Sequence, residues 1–207
     1  MRIILASQSP SRRAVLAAAG IAPLVRPSAV DEDAVRAQLP ATAAPNTVVE
    51  ALACAKAEAL GAQPDAVTIG CDSMLLSAQG ALQGKPHTVE TTIARWKQQA
   101  GTTATLLTGH CLIAPDGSRY TEVTSTTVHF AQAHDEDIAA YAATGEPLGC
   151  AGAFTLEALG GWFIDRIEGD PSSVIGISLP ALRRGLYSFG FSVHDFWAQP
   201  TTAGRDH

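Results

Sequence analysis

Short apolar runs alternate with Ala- and Leu-rich segments along most of the chain, the pattern of strands interleaved with helices. Residues 3–6 read as a buried strand, and residues 14–19 continue as a helix that Gly20 ends. Residues 23–29 look extended and lead into Asp31-Glu32-Asp33, which reads as a solvated loop. Residues 34–45 are rich in Ala, Pro and Gln and read as a mobile connection. Asn46 can cap a helix over 47–60, closed by Gly61. Residues 66–76 are apolar enough for a central strand, and residues 88–100 form a helix closed by Gly101. The stretches 102–114 and 120–130 flank Pro115-Asp116-Gly117-Ser118 as an antiparallel hairpin. A helix from His134 or Asp135 to Thr144, a strand over 162–167 and a last helix over 179–189 follow. The polar tail from 199 to 207 is expected to fray.

The chain has 207 residues, of which 46% are hydrophobic, enough for a sizeable core in one compact unit. A net charge of −6 argues against nonspecific binding to a nucleic-acid polymer or an acidic membrane, so any anion site has to be local. No basic-then-apolar leader is visible and no apolar run reaches the roughly 18 residues of a membrane span, so a soluble, cytoplasmic protein is expected. Cys54, Cys71, Cys111 and Cys150 form no C-x-x-C pair and read as small core residues rather than a zinc site or disulfide framework.

Candidate chemistry begins where the first strand meets the first helix. The Ser9 hydroxyl can cap the helix, and Pro10 suits its first position. Arg12 and Arg13 then face the positive end of the helix dipole, which costs a few tenths to about 1 kcal/mol. Either both are solvated on a surface turn, or they converge with Ser9 and free backbone N–H groups on a polyanion such as phosphate. Lys56, in the middle of its helix, either snorkels to water or points into a cleft. Asp72 lies inside an apolar strand, where a carboxylate must find cations or donors, or become a base; satisfaction by backbone amides is the structural alternative. Gly84-Lys85-Pro86 holds Lys85 on a tight turn. If phosphate binds near the start of the chain, a carboxylate of the 31–33 cluster could help hold a divalent cation.

Taken in order, Ser7-x-Ser9-Pro10-x-Arg12-Arg13, Asp31-Glu32, Lys56, Cys71-Asp72-Ser73, Gly84-Lys85-Pro86, Thr108-Gly109, Gly145-Glu146-Pro147, Ala151-Gly152 and Gly169-Asp170 with Val174 and Gly176 resemble the Maf family. The resemblance implies an α/β fold related to the inosine triphosphate pyrophosphatases: elongated and two-lobed, with a central mixed β-sheet and a deep cleft, in a single domain over 1–207. It implies a hydrolase acting on acid anhydrides, a nucleoside triphosphate pyrophosphatase that clears non-standard or surplus nucleotides. It implies a divalent cation, Mg²⁺ or Mn²⁺, and often a homodimer. Carried over, Asp72 matches the proton acceptor and Glu32 an acidic residue suited to metal or water; both are the candidate metal ligands. Arg12, Lys56 and Lys85 match residues that hold the triphosphate, with Ser9 and Arg13 completing the cradle.

Three family positions separate subgroups, and here they are Ser11, Ser73 and Glu157. The branch acting on dTTP and UTP has Arg, Thr and Gln there; the branch acting on 7-methyl-GTP has Trp, Ser and Glu. Two of three agree with the second. A Glu157 carboxylate can accept from both N1–H and the exocyclic amine of guanine, whereas uracil or thymine would oppose it with carbonyl oxygens. Ser11 departs from the tryptophan, which would offer a methylated, cationic guanine an aromatic face. A guanine-type substrate is therefore the expectation, with dTTP/UTP hydrolysis as the enzymatic rival. An interaction role in septum formation, after which the family is named, is the non-enzymatic one.

Overall fold

A computed structural model describes residues 1–198, and the tail expected to fray lies outside the described residues. One mixed sheet organises the chain. Its strands are β1 (Arg2–Leu5), β2 (Leu24–Val25), β3 (Ala66–Leu76), β4 (Leu82–Gln83), β5 (Thr103–Ile113), β6 (Arg119–Phe130) and β7 (Ile164–Glu168). They run in the order β2-β1-β3-β5-β6-β7, with β4 also paired to β3. The pairs β2-β1 and β1-β3 are parallel, and all others are antiparallel.

The helices are α1 (Pro10–Ala18), α2 (Glu32–Ala37), α3 (Pro45–Glu58), α4 (Val89–Gln99), α5 (Asp135–Ala143), α6 (Pro171–Ile175) and α7 (Leu179–Ser188). The chain leaves β1 through α1 to reach β2 on one side, then returns through α2 and α3 to β3 on the other. The carboxyl end of β1 is therefore a topological switch point, where α/β sheets open a crevice.

Two apolar clusters lie along the long strands. Val67, Ile69 and Cys71 of β3 join Leu5, Leu16 and Leu182 in one, while Leu75 of the same strand joins Trp96, Phe130 and Phe154 in the other. Ser73 occupies the polar middle between them. The opposite face of the sheet is covered by α3, through Val49 against Met74 and Leu107, and through Ala53 and Ala57 against Cys111 and Ile113. Two glycines admit the helix: a β-carbon on Gly70 would sit 2.6 Å from the Ala57 nitrogen, and one on Gly109 would sit 2.3 Å from the Val49 carbonyl oxygen.

Four expectations change. Residues 32–37 are helical rather than loop, because the Asp31 carboxylate accepts from the Asp33 and Ala34 amides and caps α2. The connection read as mobile over 34–45 is thus partly this helix. The next helix starts at Pro45 with Ala44 at its cap, since proline at the first position outweighs Asn46 as a cap. Residues 159–163 form a 3₁₀ turn, and the strand begins only at Ile164. All four cysteines are free, with Cys71 and Cys111 buried and Cys54 and Cys150 half-buried. Among the described residues, no helix is long and apolar enough to cross a membrane.

Candidate active site

β1 pairs with β3 only through Ile69, and β4 pairs with it only from Leu75, so between them the β3 edge has no strand partner. This gap lies at the switch point. It makes both faces of the strand reachable from one side, which matters because successive side chains alternate.

On the α3 face stand Glu32, Lys56 and Asp72. The Lys56 ammonium donates to Asp72 Oδ1 at 2.6 Å and lies 2.8 Å from Glu32 Oε1. The Lys56 and Asp72 side chains are only 11% and 10% exposed, so this is a buried pair. Asp72 Oδ2 is buried and has no hydrogen-bond partner. Glu32 also meets Arg36 at 3.5 Å. Partial burial raises the Glu32 pKa, but the Lys56 hydrogen bond and the charges of Lys56, Arg36 and Lys85 outweigh it and hold the carboxyl below its ordinary range. Lys85 itself is exposed. Its turn is anchored by Gly84, whose carbonyl accepts from Arg95 at 2.6 Å and from the Gly152 amide at 3.3 Å.

On the other face Arg12 is fastened to the frame. Its Nε donates to the Gly176 carbonyl at 2.8 Å, one terminal nitrogen donates to Ser7 Oγ at 3.1 Å and to the Cys71 carbonyl at 2.8 Å, and the other donates to Ser73 Oγ at 3.2 Å. Ser73 continues to Thr108 at 3.0 Å, and Thr108 donates to the Ser173 carbonyl at 3.1 Å. Ser9 caps α1, accepting from the Arg12 amide at 3.4 Å. Arg13 is exposed and, with Gln8, Ser9, Pro10 and Val25, lines a cavity of 120 Å³ beside the start of α1. Arg12 and Arg13 therefore do not act alike.

The three subgroup positions stand on three different elements. Ser73 is committed to Arg12 and Thr108, Ser11 is half-buried in the first turn of α1, and Glu157 is exposed on the 155–160 loop, where its Oε2 accepts from the Leu156 amide at 3.1 Å. Burial, with the charges of Glu157 and Glu146, pushes the Cys150 thiol up to about 11, against the Lys85 charge.

Residues 2–189 match the family described as Maf-like protein. The chain belongs to the Maf family. This Maf chain is 62% identical over 200 residues to a nucleoside triphosphate pyrophosphatase of Corynebacterium aurimucosum, a match covering 96% of this chain and 100% of the relative. It is 63% identical over 198 residues to the protein of that name in Corynebacterium diphtheriae, covering 95% and 98%. With the Nocardia farcinica protein of that name it shares 57% over 207 residues, covering 96% and 97%. Among solved structures, a nucleoside-triphosphatase, dITP/XTP pyrophosphatase, of Mycobacterium abscessus aligns with a TM-score of 0.36 at 15% identity, covering 64% of this chain and 76% of that one.

Several groups at this Maf site have no role assigned from the sequence, although Ser7, Thr108 and Glu146 belong to the motifs that carry the family resemblance. Arg36 was visible as a cation four residues after Glu32, the spacing of helical ion pairs. Ser7 meets Arg12 on its own, while Thr108, Thr124 and Ser173 are linked beneath Ser73. Thr108 donates to the Ser173 carbonyl, Thr124 donates to the Thr108 carbonyl, and the Thr124 and Ser173 hydroxyls lie 2.5 Å apart, joining strands that only the tertiary pairing brings together. Glu146 collects the Tyr141 and Thr155 hydroxyls and the Leu159 and Gly160 amides, so it fixes the loop that carries Glu157.

Proposed function

We propose that the chain hydrolyses nucleoside triphosphates between the α- and β-phosphates, giving a nucleoside monophosphate and pyrophosphate. The observation that carries this reading is the Glu32–Lys56–Asp72 cluster at the open edge of β3, with one Asp72 oxygen buried and unpartnered. The shared name of the full-length relatives agrees with it. Asp72 Oδ2 takes a proton from the water that attacks the α-phosphorus. Lys56 holds Asp72 in place through its hydrogen bond and offers its remaining charge to the phosphate oxygens. Lys85 and Arg13, both exposed, neutralise the outer phosphates, and Arg12 supplies a fixed positive charge behind them.

Glu32 and Asp72 also fit a divalent cation. Two carboxylates with a free buried oxygen are what Mg²⁺ or Mn²⁺ takes from a protein when phosphate oxygens complete its shell, and no group of three such ligands is present among the described residues. The cation would supply charge neutralisation on the triphosphate.

The base preference we propose is guanine-type, including 7-methyl-GTP, on the strength of Glu157. Its Oε2 holds the Leu156 amide, and the carboxylate as a whole can accept from a purine with adjacent donors. The experiment is pyrophosphate release with Mg²⁺ or Mn²⁺ from GTP, 7-methyl-GTP, ITP, ATP, CTP, UTP and dTTP. Preference for guanine-type bases is expected. Preference for UTP or dTTP would overturn the base reading and leave the phosphate chemistry, while no release from any nucleotide would overturn the enzyme and favour an interaction role.

A further inference from the structure

The interface of α3 with the sheet holds two thiols that the proposed chemistry does not use. Cys54 on α3 is half-buried and packs against the cluster of Ala53, Ala57, Cys111 and Ile113; Cys111 on β5 is fully buried. Cys54 and Cys111 thus meet in one apolar cluster between α3 and β5, and the Arg119 guanidinium acts on both thiols. The Cys111 contact and Arg119 draw the Cys54 thiol below its ordinary range against burial, Glu50 and Glu58, while the same contact and burial push Cys111 up. A disulfide spans Cα separations of only about 4.4–6.8 Å, so it needs a close approach of the two backbones. Here Gly109, two residues before Cys111, and Gly70 bring α3 against the strands more tightly than any β-carbon would allow.

The geometry points to Cys54 and Cys111 as a hydroperoxide-sensitive dithiol that closes into a disulfide joining α3 to β5. The Cys54 thiolate attacks an oxygen of the hydroperoxide, the O–O bond breaks, and the departing oxygen is protonated to water or alcohol, leaving a sulfenic acid. The Cys111 sulfur then attacks the Cys54 sulfur, the S–O bond breaks, and hydroxide leaves with the Cys111 proton as water. Two electrons pass from the thiols to the peroxide. Cys54 is two residues before Lys56, and Cys111 is two residues beyond Gly109, the register partner of Asp72. The new bond therefore ties the turn of α3 that carries Lys56 to β5 and slows the adjustment of the Lys56–Asp72 pair to an entering triphosphate. This consequence for turnover rests on the proposed function; the disulfide itself does not.

The test treats the reduced full-length protein with hydrogen peroxide, alkylates the remaining thiols, and measures intact mass, a peptide map and pyrophosphate release. Expected are loss of two of the four thiols, two alkyl groups added instead of four with a mass lower by two hydrogens before alkylation, a fragment joining 54 to 111, and a several-fold fall in turnover that dithiothreitol reverses. Cys54→Ser keeps its activity and ignores peroxide. Cys54→Ala and Cys111→Ala give the same readout should the serine variant fold poorly. Oxygen added to Cys54 without a crosslink, or a crosslink through Cys71 or Cys150, overturns the pairing, and a 54–111 crosslink with unchanged turnover overturns its link to Lys56. If no nucleotide is hydrolysed, the proposed function fails while mass and map still decide the disulfide.

Discussion

A β-carbon placed on Gly70 would lie 2.1 Å from the carbonyl oxygen of Ala53. Gly70→Ala must therefore lift α3 from the sheet, and the helix that moves carries Lys56. The variant should lose about 1–3 kcal/mol in urea denaturation, the usual cost of overpacking, and lose pyrophosphate release as well. Gly149→Ala is the matched control. Nothing lies within 4 Å of its added carbon, so it should be near neutral in both assays.

Asp72→Asn should bind nucleotide and release no pyrophosphate, which isothermal titration beside a turnover assay would check. Lys56→Met should fail differently. It leaves Asp72 buried beside Glu32 with no cation between them, so it should cost about 3–5 kcal/mol of stability, the range for breaking a buried ion pair. Restored stability in the Lys56→Met, Asp72→Leu double variant would confirm that the uncompensated carboxylate is the cause.

His110 gives the fold a pH dependence. Its Nε2 accepts from the Ser178 amide at 2.8 Å, so the ring proton sits on Nδ1, facing the Glu122 carbonyl at 3.4 Å. Burial first, and the Arg12 charge second, lower its pKa from 6.5 to about 4. The unfolded chain thus binds a proton in the window where the folded one does not. Stability should be full above pH 6.5 and fall by about 3 kcal/mol as pH drops through the folded value. Glu32, also depressed, adds a loss on the acid side of its ordinary 4.5. NMR titration of the His110 ring, followed beside thermal denaturation, checks the window; a ring titrating near 6.5 would contradict it.

Glu146→Gln keeps the size of the side chain and removes the charge that gathers four donors, Tyr141 on α5 and three on the 155–160 loop. Exchange of the Leu159 and Gly160 amides should accelerate about tenfold, the equivalent of one charged hydrogen bond. Discrimination among bases should fall while kcat on the preferred nucleotide changes little. Glu157→Gln should lower the ratio of kcat/KM for GTP over UTP and leave amide exchange in the loop as it was.

What the chain showed in one dimension was local. The 66–76 strand and the carboxylate inside it were legible because an apolar run with one Asp breaks a burial rule in plain view. That Asp72 and Ser73 face opposite sides follows from alternation alone. The unpaired edge that lets both serve one site was not legible, since it depends on where β1 stops against a strand far along the chain. Arg12 is the sharpest case. Its cost at a helix start was visible, but its acceptors are Ser7, two strand residues and Gly176, the last 164 positions away. The α2 helix was missed because a charged cluster without apolar period hides the cap at Asp31.

The fastening of Arg12 changes what a ligand encounters. Four of the five guanidinium N–H groups are already spoken for, so the side chain has no rotamers left to lose. A triphosphate entering beside it meets a stationary field, and freezing an arginine adds nothing to the entropic cost of association. Selectivity among anions then falls to the groups that can still move, Arg13 and Lys85, while Arg12 acts as part of the protein's skeleton that happens to carry a charge.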